Sequence, residues 1–407
     1  MAIEAFDTTE FHAEPTAPIE RFAAQFAAIA AGAGDRDGQR RAPYEEVAAL
    51  KRAGFGTLRL PVAEGGAGLR FSELIDVVIE LARADSNIAH IFRNHFGAVE
   101  NAIAEPGSKT SRFVRERSLK GETFGGGFSE LGLAQAGATN FETTFVPTGD
   151  HYVLNGTKFY STGNLYADWL FVTGRLADGR QASALLPVDR AGVDLVDDWD
   201  GIGQRLTGSG TTKFVDVKVK SNELVASGDD VKVGTKYRAV FAQLYLSAAI
   251  AGILANIHDD ALKLVKARSR NFYHGIADKP RNEPGVQELV GQISTNAWLA
   301  RTIVREAAAA LERSQDNERA QGPSDESRMQ ASLAAARVKI VVDELGPATA
   351  SLLFEVGGGQ TVRQGLQFDR HWRNIKTLSA HNPRIYKLRV IGDYELNGTP
   401  LPSGPFF

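Results

Sequence analysis

The chain contains no cysteine. Disulfides, thiolate nucleophiles, Cys-ligated zinc and iron–sulfur clusters are therefore excluded. It also lacks a strong charge of either sign: the formal net charge is −3, and no dense Lys/Arg run occurs. That balance disfavours sequence-independent binding to phosphate backbones, so no nucleic-acid partner is expected. Long hydrophobic runs are missing too. The most apolar stretch, residues 246–257, is interrupted by Ser247, Gly252 and Asn256 and is too short to span a bilayer. Residues 1–14 are acidic and lack the basic-then-apolar order of a secretory signal. No Gly-x-Ser-x-Gly elbow and no Walker loop are present. These absences point to a soluble cytoplasmic protein that contacts neither membrane nor nucleic acid.

What remains is 407 residues, 43% hydrophobic and 23% charged, enough for two or three domains around a large core. Residues 1–118 read as helical: Ile19, Phe22, Phe26 and Ile29 fall at helical spacing, as do Ile75, Val78 and Leu81. From 119 to 225 the period changes to two. Asn155-Gly156, inside 152–158, reads as a hairpin turn, and 169–175, 181–186 and 211–220 read as strands. In the last of these Val215, Val217 and Val219 alternate with Asp216, Lys218 and Lys220, so one face is buried and one is wet. Short turns between such strands suggest an antiparallel barrel or sandwich. From 226 to 407 the chain is helical again, with Ala/Leu/Val-rich segments near 236–270, 286–315 and 325–355, a short helix near 367–376 and a polar tail. The expected class is α+β: a helical domain, a β domain and a helical bundle.

Candidate sites are few. On the segment 88–103, Ile88, Phe92, Phe96, Val99 and Ile103 form an apolar stripe, while His90, Asn94, Gly97 and Asn101 share another face. That face is either solvated or lines a polar cavity. His95 lies five residues from His90, the wrong spacing for two ligands on one metal, and no metal site is expected. The run Phe124-Gly125-Gly126-Gly127-Phe128-Ser129 is either a flexible loop or a place where backbone approaches a flat ligand. Gly201-Ile202-Gly203 fails as a dinucleotide fingerprint, because no buried parallel strand precedes it and no helix follows. Gly357-Gly358-Gly359 reads mainly as a helix end. His381, before Asn382-Pro383, is either structural or a proton carrier near neutral pH.

Several segments taken together resemble the acyl-CoA dehydrogenase superfamily. They are Leu60-Pro61 with Gly65-Gly66, Leu154-Asn155-Gly156-Thr157-Lys158, Trp199 with Leu206-Thr207-Gly208-Ser209, and Phe214-Val215-Asp216-Val217-Lys218-Val219. Gly357-Gly358-Gly359 and Asp369-Arg370-His371-Trp372-Arg373-Asn374 complete the set, which spans nearly the whole chain in order. The resemblance implies an N-terminal helical domain, a central β domain and a C-terminal four-helix bundle. It also implies flavin between the last two, and assembly as a homotetramer. The dehydrogenases carry a catalytic Glu at one of two places; here the segment 377–383 has no acid, and Leu244 stands at the other.

The closer likeness is to the flavin-dependent monooxygenases of that superfamily, dibenzothiophene monooxygenase and its relatives. His90, His381 and the small hydroxyl residue Thr162 match their catalytic positions. Ser161, Thr162, Gly126, Ser129, Trp199, Arg270, Gly358 and Gly359 match flavin-pocket positions, and Asn94 and Gly127 line the substrate side. Asn94 stands where the dibenzothiophene enzymes have tyrosine, and Gly126 where they have asparagine, so their substrate does not transfer. The resemblance implies a two-component enzyme. A separate flavin reductase delivers reduced FMN, with FAD the alternative, oxygen adds at flavin C4a, and the hydroperoxide oxygenates a small sulfur- or nitrogen-containing substrate. Two rivals stay open here: a dehydrogenase with a displaced base, and a flavin-free scaffold on the same fold.

Overall fold

The structure is a computed structural model that describes residues 17–132, 140–227, 236–402 and 407. It opens with six helices: α1 (Ala17–Arg21), α2 (Ala23–Gln39), α3 (Tyr44–Arg52), α4 (Phe71–Ile91), α5 (Arg93–Ala104) and α6 (Lys109–Leu119). Eight strands follow: β1 (Phe124–Gly127), β2 (Thr144–Thr148), β3 (His151–Lys158), β4 (Trp169–Leu176), β5 (Gln181–Pro187), β6 (Val193–Val196), β7 (Thr211–Lys220) and β8 (Leu224–Ser227). Helices then resume as α7 (Lys236–Ala267), α8 (Pro284–Gln321), α9 (Asp325–Glu355), α10 (Asp369–Ala380) and α11 (Arg384–Asn397).

The helical parts share one core. α4 lies along α7, and α7 packs in turn on α8 and α9. Leu74, Ile75, Val78 and Leu81 of α4 and Leu244, Leu254 and Ile257 of α7 are fully buried in it. By composition 240–267 of α7 could cross a membrane, but most of its apolar surface is spent on these contacts. Two rings, Phe22 between α1 and α2 and Phe55 after α3, meet edge to face at 5.3 Å between centroids, and Phe55 meets Phe92 at 4.9 Å. Each such pair adds about 0.5–1.5 kcal/mol to the area it buries.

α4 is interrupted. Asp85 has extended backbone (φ −159°, ψ 110°) inside the helical span, and its Oδ1 accepts the Asn87 N–H at 3.0 Å. It therefore works as the N-cap of a second short helical piece that carries Ser86, Asn87 and His90. A second break, at Phe92, separates α4 from α5. The segment 88–103, read from its periodicity as one helix, is thus two, and the break places Arg93 at the start of the second.

The β domain is one sheet in the order β6-β7-β3-β2-β4-β5-β8, antiparallel except along one edge of β4. There β1 pairs with 169–172 and β2 with 175–176, both parallel and end to end along the same strand. The hairpin expected at Asn155-Gly156 lies elsewhere. β2 and β3 turn at Gly149-Asp150, with Thr148 opposite His151, while Asn155 and Gly156 sit inside β3. The register against β7 shifts between Leu154 and Gly156, which makes a bulge. Asn155 exchanges hydrogen bonds with Asp216, whose φ is 50°, so the bulge is tied across the strands. Asn-Gly chemistry was read correctly as permissive backbone and assigned to the wrong irregularity. The tail also differs from expectation: beyond α10 the chain forms a further helix, α11.

One contact joins all three parts. The loop 199–210 leaves the sheet and docks between α4 and α10, where a Cβ on Gly203 would lie 2.1 Å from the Arg373 carbonyl oxygen. Gly203→Ala is expected to cost about 1–3 kcal/mol, the usual scale of overpacking, and to lift Gln204 away from α4. Urea unfolding of the variant checks this; an unchanged midpoint would show that the loop has room to spare.

Candidate active site

The docked loop brings Gln204 into the interior, 1% exposed. Its Oε1 accepts from His90 Nδ1 at 3.1 Å, its Nε2 donates to Ser86 Oγ at 2.9 Å, and its N–H donates to Asn374 Oδ1 at 2.6 Å. One residue, through its side chain and its backbone N–H, thus joins α4, the β domain and α10. With the amide placed so that its oxygen faces the ring, the proton of His90 sits on Nδ1. Nε2 is then a lone-pair acceptor, and it is buried without a protein partner.

Three residues on, Arg93 donates from Nη1 to His381 Nε2 at 3.3 Å, across the junction with the turn between α10 and α11. An imidazole nitrogen that accepts from a guanidinium carries no proton, so His381 holds its proton on Nδ1. The two rings therefore offer opposite functions: His90 accepts, and His381 donates.

Asn94, next in the chain, donates from Nδ2 to the Thr162 carbonyl at 2.8 Å. Thr162 Oγ1 meets Ser209 Oγ at 2.8 Å, Ser209 Oγ meets Thr207 Oγ1 at 2.6 Å, and Thr207 donates to the Gln204 carbonyl at 2.8 Å. With the last proton committed, each hydroxyl in the row donates to the next, and Thr162 Oγ1 keeps its lone pairs free to accept. Ser161 Oγ, beside it, is buried without a partner. Asn164 continues the wall: its Oδ1 accepts the Gly126 N–H at 2.8 Å, and the Phe128 ring lies against Gly126.

Burial is the largest influence on both rings. It drives His90 down to about 3, with the positive Arg93 adding to it and the Gln204 hydrogen bond opposing. His381 is held well below the usual imidazole range by its enclosure, then by Arg93, His90 and Lys339. One edge of His381 is nevertheless exposed, so Arg93 at contact distance is the firmer cause. Both rings are neutral at pH 7. Among the described residues, no carboxylate is among the charged groups acting on His90 or Arg93.

Hydrogen bonds and short chain steps bring His90, His381, Thr162, Ser161, Asn94 and Gly126 into one cluster, with Trp199 at its edge, donating from Nε1 to the Gln204 carbonyl at 2.9 Å. Gly127 is one step away against Lys158 and Phe214, and Ser129 is exposed, its carbonyl accepting the Phe159 N–H at 2.9 Å. Arg270, Gly358 and Gly359 form a separate group: Arg270 and Gly359 are exposed, and Gly358 packs beneath Phe272 in the loop after α7. Arg93 and Gln204 were missed from the sequence. The only signal for Arg93 was its position three residues after His90, on the same helical face; Gln204, 114 residues from His90, had none. Two open clefts lie outside the cluster, one of about 740 Å³ lined by Tyr44, Lys51 and Tyr166, and one of about 580 Å³ lined by Ile202, Arg205 and Arg373.

Residues 9–113 match the family model "Acyl-CoA dehydrogenase, N-terminal domain", and residues 244–383 match "Acyl-CoA dehydrogenase, C-terminal domain". A probable FMNH2-dependent monooxygenase of Pseudomonas putida is 30% identical over 96% of this chain and 97% of its own length. The chain belongs to the acyl-CoA dehydrogenase family. Within that family it lies on the flavin-dependent monooxygenase branch. A methanesulfinate monooxygenase of Pseudomonas fluorescens superposes with a TM-score of 0.86 at 28% identity, covering 96% of this chain and all of the other. An FMN-bound enzyme of Paenibacillus sp. A11-2 gives 0.86 at 26% identity, covering 96% and 99%.

As a member of the acyl-CoA dehydrogenase family the chain departs at both base positions. Leu244 is fully buried in the helical core, and the turn at His381 has no acid. What it does provide fits a reduced flavin. A lone-pair acceptor at His90 Nε2, a second at Thr162 Oγ1 and an unpartnered hydroxyl at Ser161 suit the N–H and C=O edge of an isoalloxazine ring. His95, by contrast, is structural: Nε2 donates to the Gly56 carbonyl at 2.8 Å, and its ring stacks on Phe124.

Burial lowers His95 to about 4. Below about pH 6.5 the unfolded chain therefore binds protons that the native His90 and His95 rings refuse. Stability is complete above that pH and falls as pH drops toward 4, each ring contributing about 1.4 kcal/mol per pH unit near pH 5. Urea midpoints between pH 7 and 5 should fall accordingly, with a shallower fall in His95→Gln. A flat profile would contradict the burial of both rings.

Proposed function

We propose that this protein is a two-component monooxygenase that uses reduced FMN and O2 to oxygenate a small sulfur- or nitrogen-containing substrate. What carries the reading is the cluster itself: two neutral imidazoles with opposite proton roles flank a guanidinium, while the two positions where the family's dehydrogenases carry their base hold the buried Leu244 and the acid-free segment 377–383. Bound reduced FMN supplies the two electrons that let O2 deliver one oxygen atom to the substrate and release the other as water. His90 Nε2 and Thr162 Oγ1 would hold the reduced ring by accepting from it, while the Gln204 bridge supports His90 in the accepting tautomer. His381 would supply a proton to the oxygen that leaves. Asn94 fixes the Thr162 loop, and Phe128 over Gly126 limits the room on the substrate side.

A flavin reductase is the transient partner, since no second cofactor-binding unit is evident among the described residues. We place the enzyme in the cytoplasm, where such reductases draw on nicotinamide cofactors. A homotetramer is favoured by apolar side chains that a monomer leaves in water, Tyr273 at 98% and Ile276 at 81% exposed among them. Anaerobic titration tests the core of the reading. Photoreduced FMN should bind more tightly than oxidised FMN, and acyl-CoA should not bleach oxidised flavin. Bleaching by acyl-CoA without oxygen would favour a dehydrogenase instead.

A further inference from the structure

Arg93 is a half-buried cation without a counter-ion among the described residues. Among the described residues its only hydrogen bond is the one from Nη1 to His381. Nε and Nη2 bond to no described protein group, and neither is sealed from solvent. The only polar group besides the imidazoles that acts on its charge is Tyr245, whose phenol donates to the Ala89 carbonyl at 2.8 Å and is pushed upward by burial, so it stays neutral. Other buried arginines of this chain are compensated: Arg36 pairs with Asp85 and Glu46, and Arg59 with Glu100. A guanidinium taken partly out of water with no anion beside it is unfavourable unless something supplies the anion. Its free edge offers the planar fork that binds two oxygens of a carboxylate or sulfinate at once.

We infer that Arg93 receives the anionic group of the substrate, and that the substrate is a small organosulfinate. This rests on the oxygenase reading above. A sulfinate places two oxygens on the fork while its sulfur keeps a lone pair for the incoming oxygen; a carboxylate binds the same way but offers no lone pair to oxidise. The step balances as R–SO2⁻ + FMNH2 + O2 → R–SO3⁻ + FMN + H2O. One S–O bond forms and the O–O bond breaks. Sulfur loses two electrons and the flavin two, O2 gains the four, and the flavin's two protons leave in water. Asn94, with Oδ1 uncommitted, stands beside Arg93 on the same crevice wall.

The test has two arms. Saturation-transfer NMR follows methanesulfinate and acetate on the wild type, Arg93→Gln and Arg93→Lys. Both anions should bind the wild type, weaken by about 30- to 1000-fold in Arg93→Gln, and recover in part in Arg93→Lys. Equal binding to wild type and Arg93→Gln, or none to the wild type, overturns the inference whether or not the enzyme oxygenates anything. The second arm supplies reduced FMN through a reductase and compares kcat/KM for methanesulfinate and neutral dimethyl sulfide. The anion-to-neutral ratio should favour methanesulfinate in the wild type and collapse in Arg93→Gln. A ratio unmoved by the substitution overturns it. Loss of turnover with both substrates alongside intact anion binding would instead count against the oxygenase reading.

Discussion

His381→Ala supplied with reduced FMN should form product about 100- to 10,000-fold more slowly than the wild type, the usual loss when a positioned acid is removed. That corresponds to about 2.7–5.5 kcal/mol in the barrier. His381 lies at the turn between α10 and α11 with one edge open, so its removal leaves the core untouched, and circular dichroism should be unchanged. The cause assigned is specific. Arg93 occupies Nε2 and leaves the proton on Nδ1, so the ring is a donor even though it is neutral. His381→Gln, which keeps an N–H donor that does not titrate, should recover less than a tenth of the lost rate. Hydrogen peroxide should account for the flavin oxidised without product. Near-normal product formation by His381→Ala would remove the residue from the reaction.

Arg36→Met should cost about 3–5 kcal/mol of stability, because it leaves Asp85 buried and unpaired. Arg36 is 1% exposed, 2.9 Å from Asp85 Oδ2 and 3.1 Å from Glu46 Oε1. Asp85 is also the cap that lets α4 break and restart, and its oxygen holds both the N–H and the Nδ2 of Asn87. Asn87 in turn accepts the Leu206 N–H at 3.1 Å, on the loop that delivers Gln204 to His90. The ion pair is thus linked to the active site through two hydrogen bonds. Chemical denaturation should show the loss, and the surviving folded fraction should bind reduced FMN more weakly. A variant within 1 kcal/mol of the wild type would mean that the α4 break is held by other contacts.

Much of this was legible in advance because it follows from periodicity: the alternation gives the strand, and Ile75, Val78 and Leu81 give a helix. The buried face expected of Val215, Val217 and Val219 holds only for the last two; Val215 is 62% exposed, because the irregularity at Asp216, φ 50°, shifts the alternation there. His90 and His381 could be singled out because imidazoles are few and the surrounding motifs set their register. Irregular features were harder. Asp85-Ser86-Asn87 is a helix-cap signature, but it stands inside an otherwise continuous helical pattern, and only the buried Arg36 on another helix makes the break worthwhile. Asn155-Gly156 marks permissive backbone, and local sequence does not say whether that becomes a turn or a bulge; pairing with Asp216, 61 residues away, decides it. α11 reads as a polar tail because only Lys387 of it is fully buried, so it has no stripe to detect. Gln204 is beyond sequence reasoning altogether, since its meaning comes from His90, Ser86 and Asn374 closing on it from 114, 118 and 170 residues away.

The most direct test of the crevice as an oxygen-transfer site is a single turnover with photoreduced FMN, methanesulfinate and 18O2 in ordinary water. One labelled oxygen atom should appear in the methanesulfonate formed, and His381→Ala should lose that label while still oxidising the flavin. Unlabelled product, or no product from an enzyme whose oxidised flavin is instead bleached by an acyl-CoA in the absence of oxygen, would contradict the account.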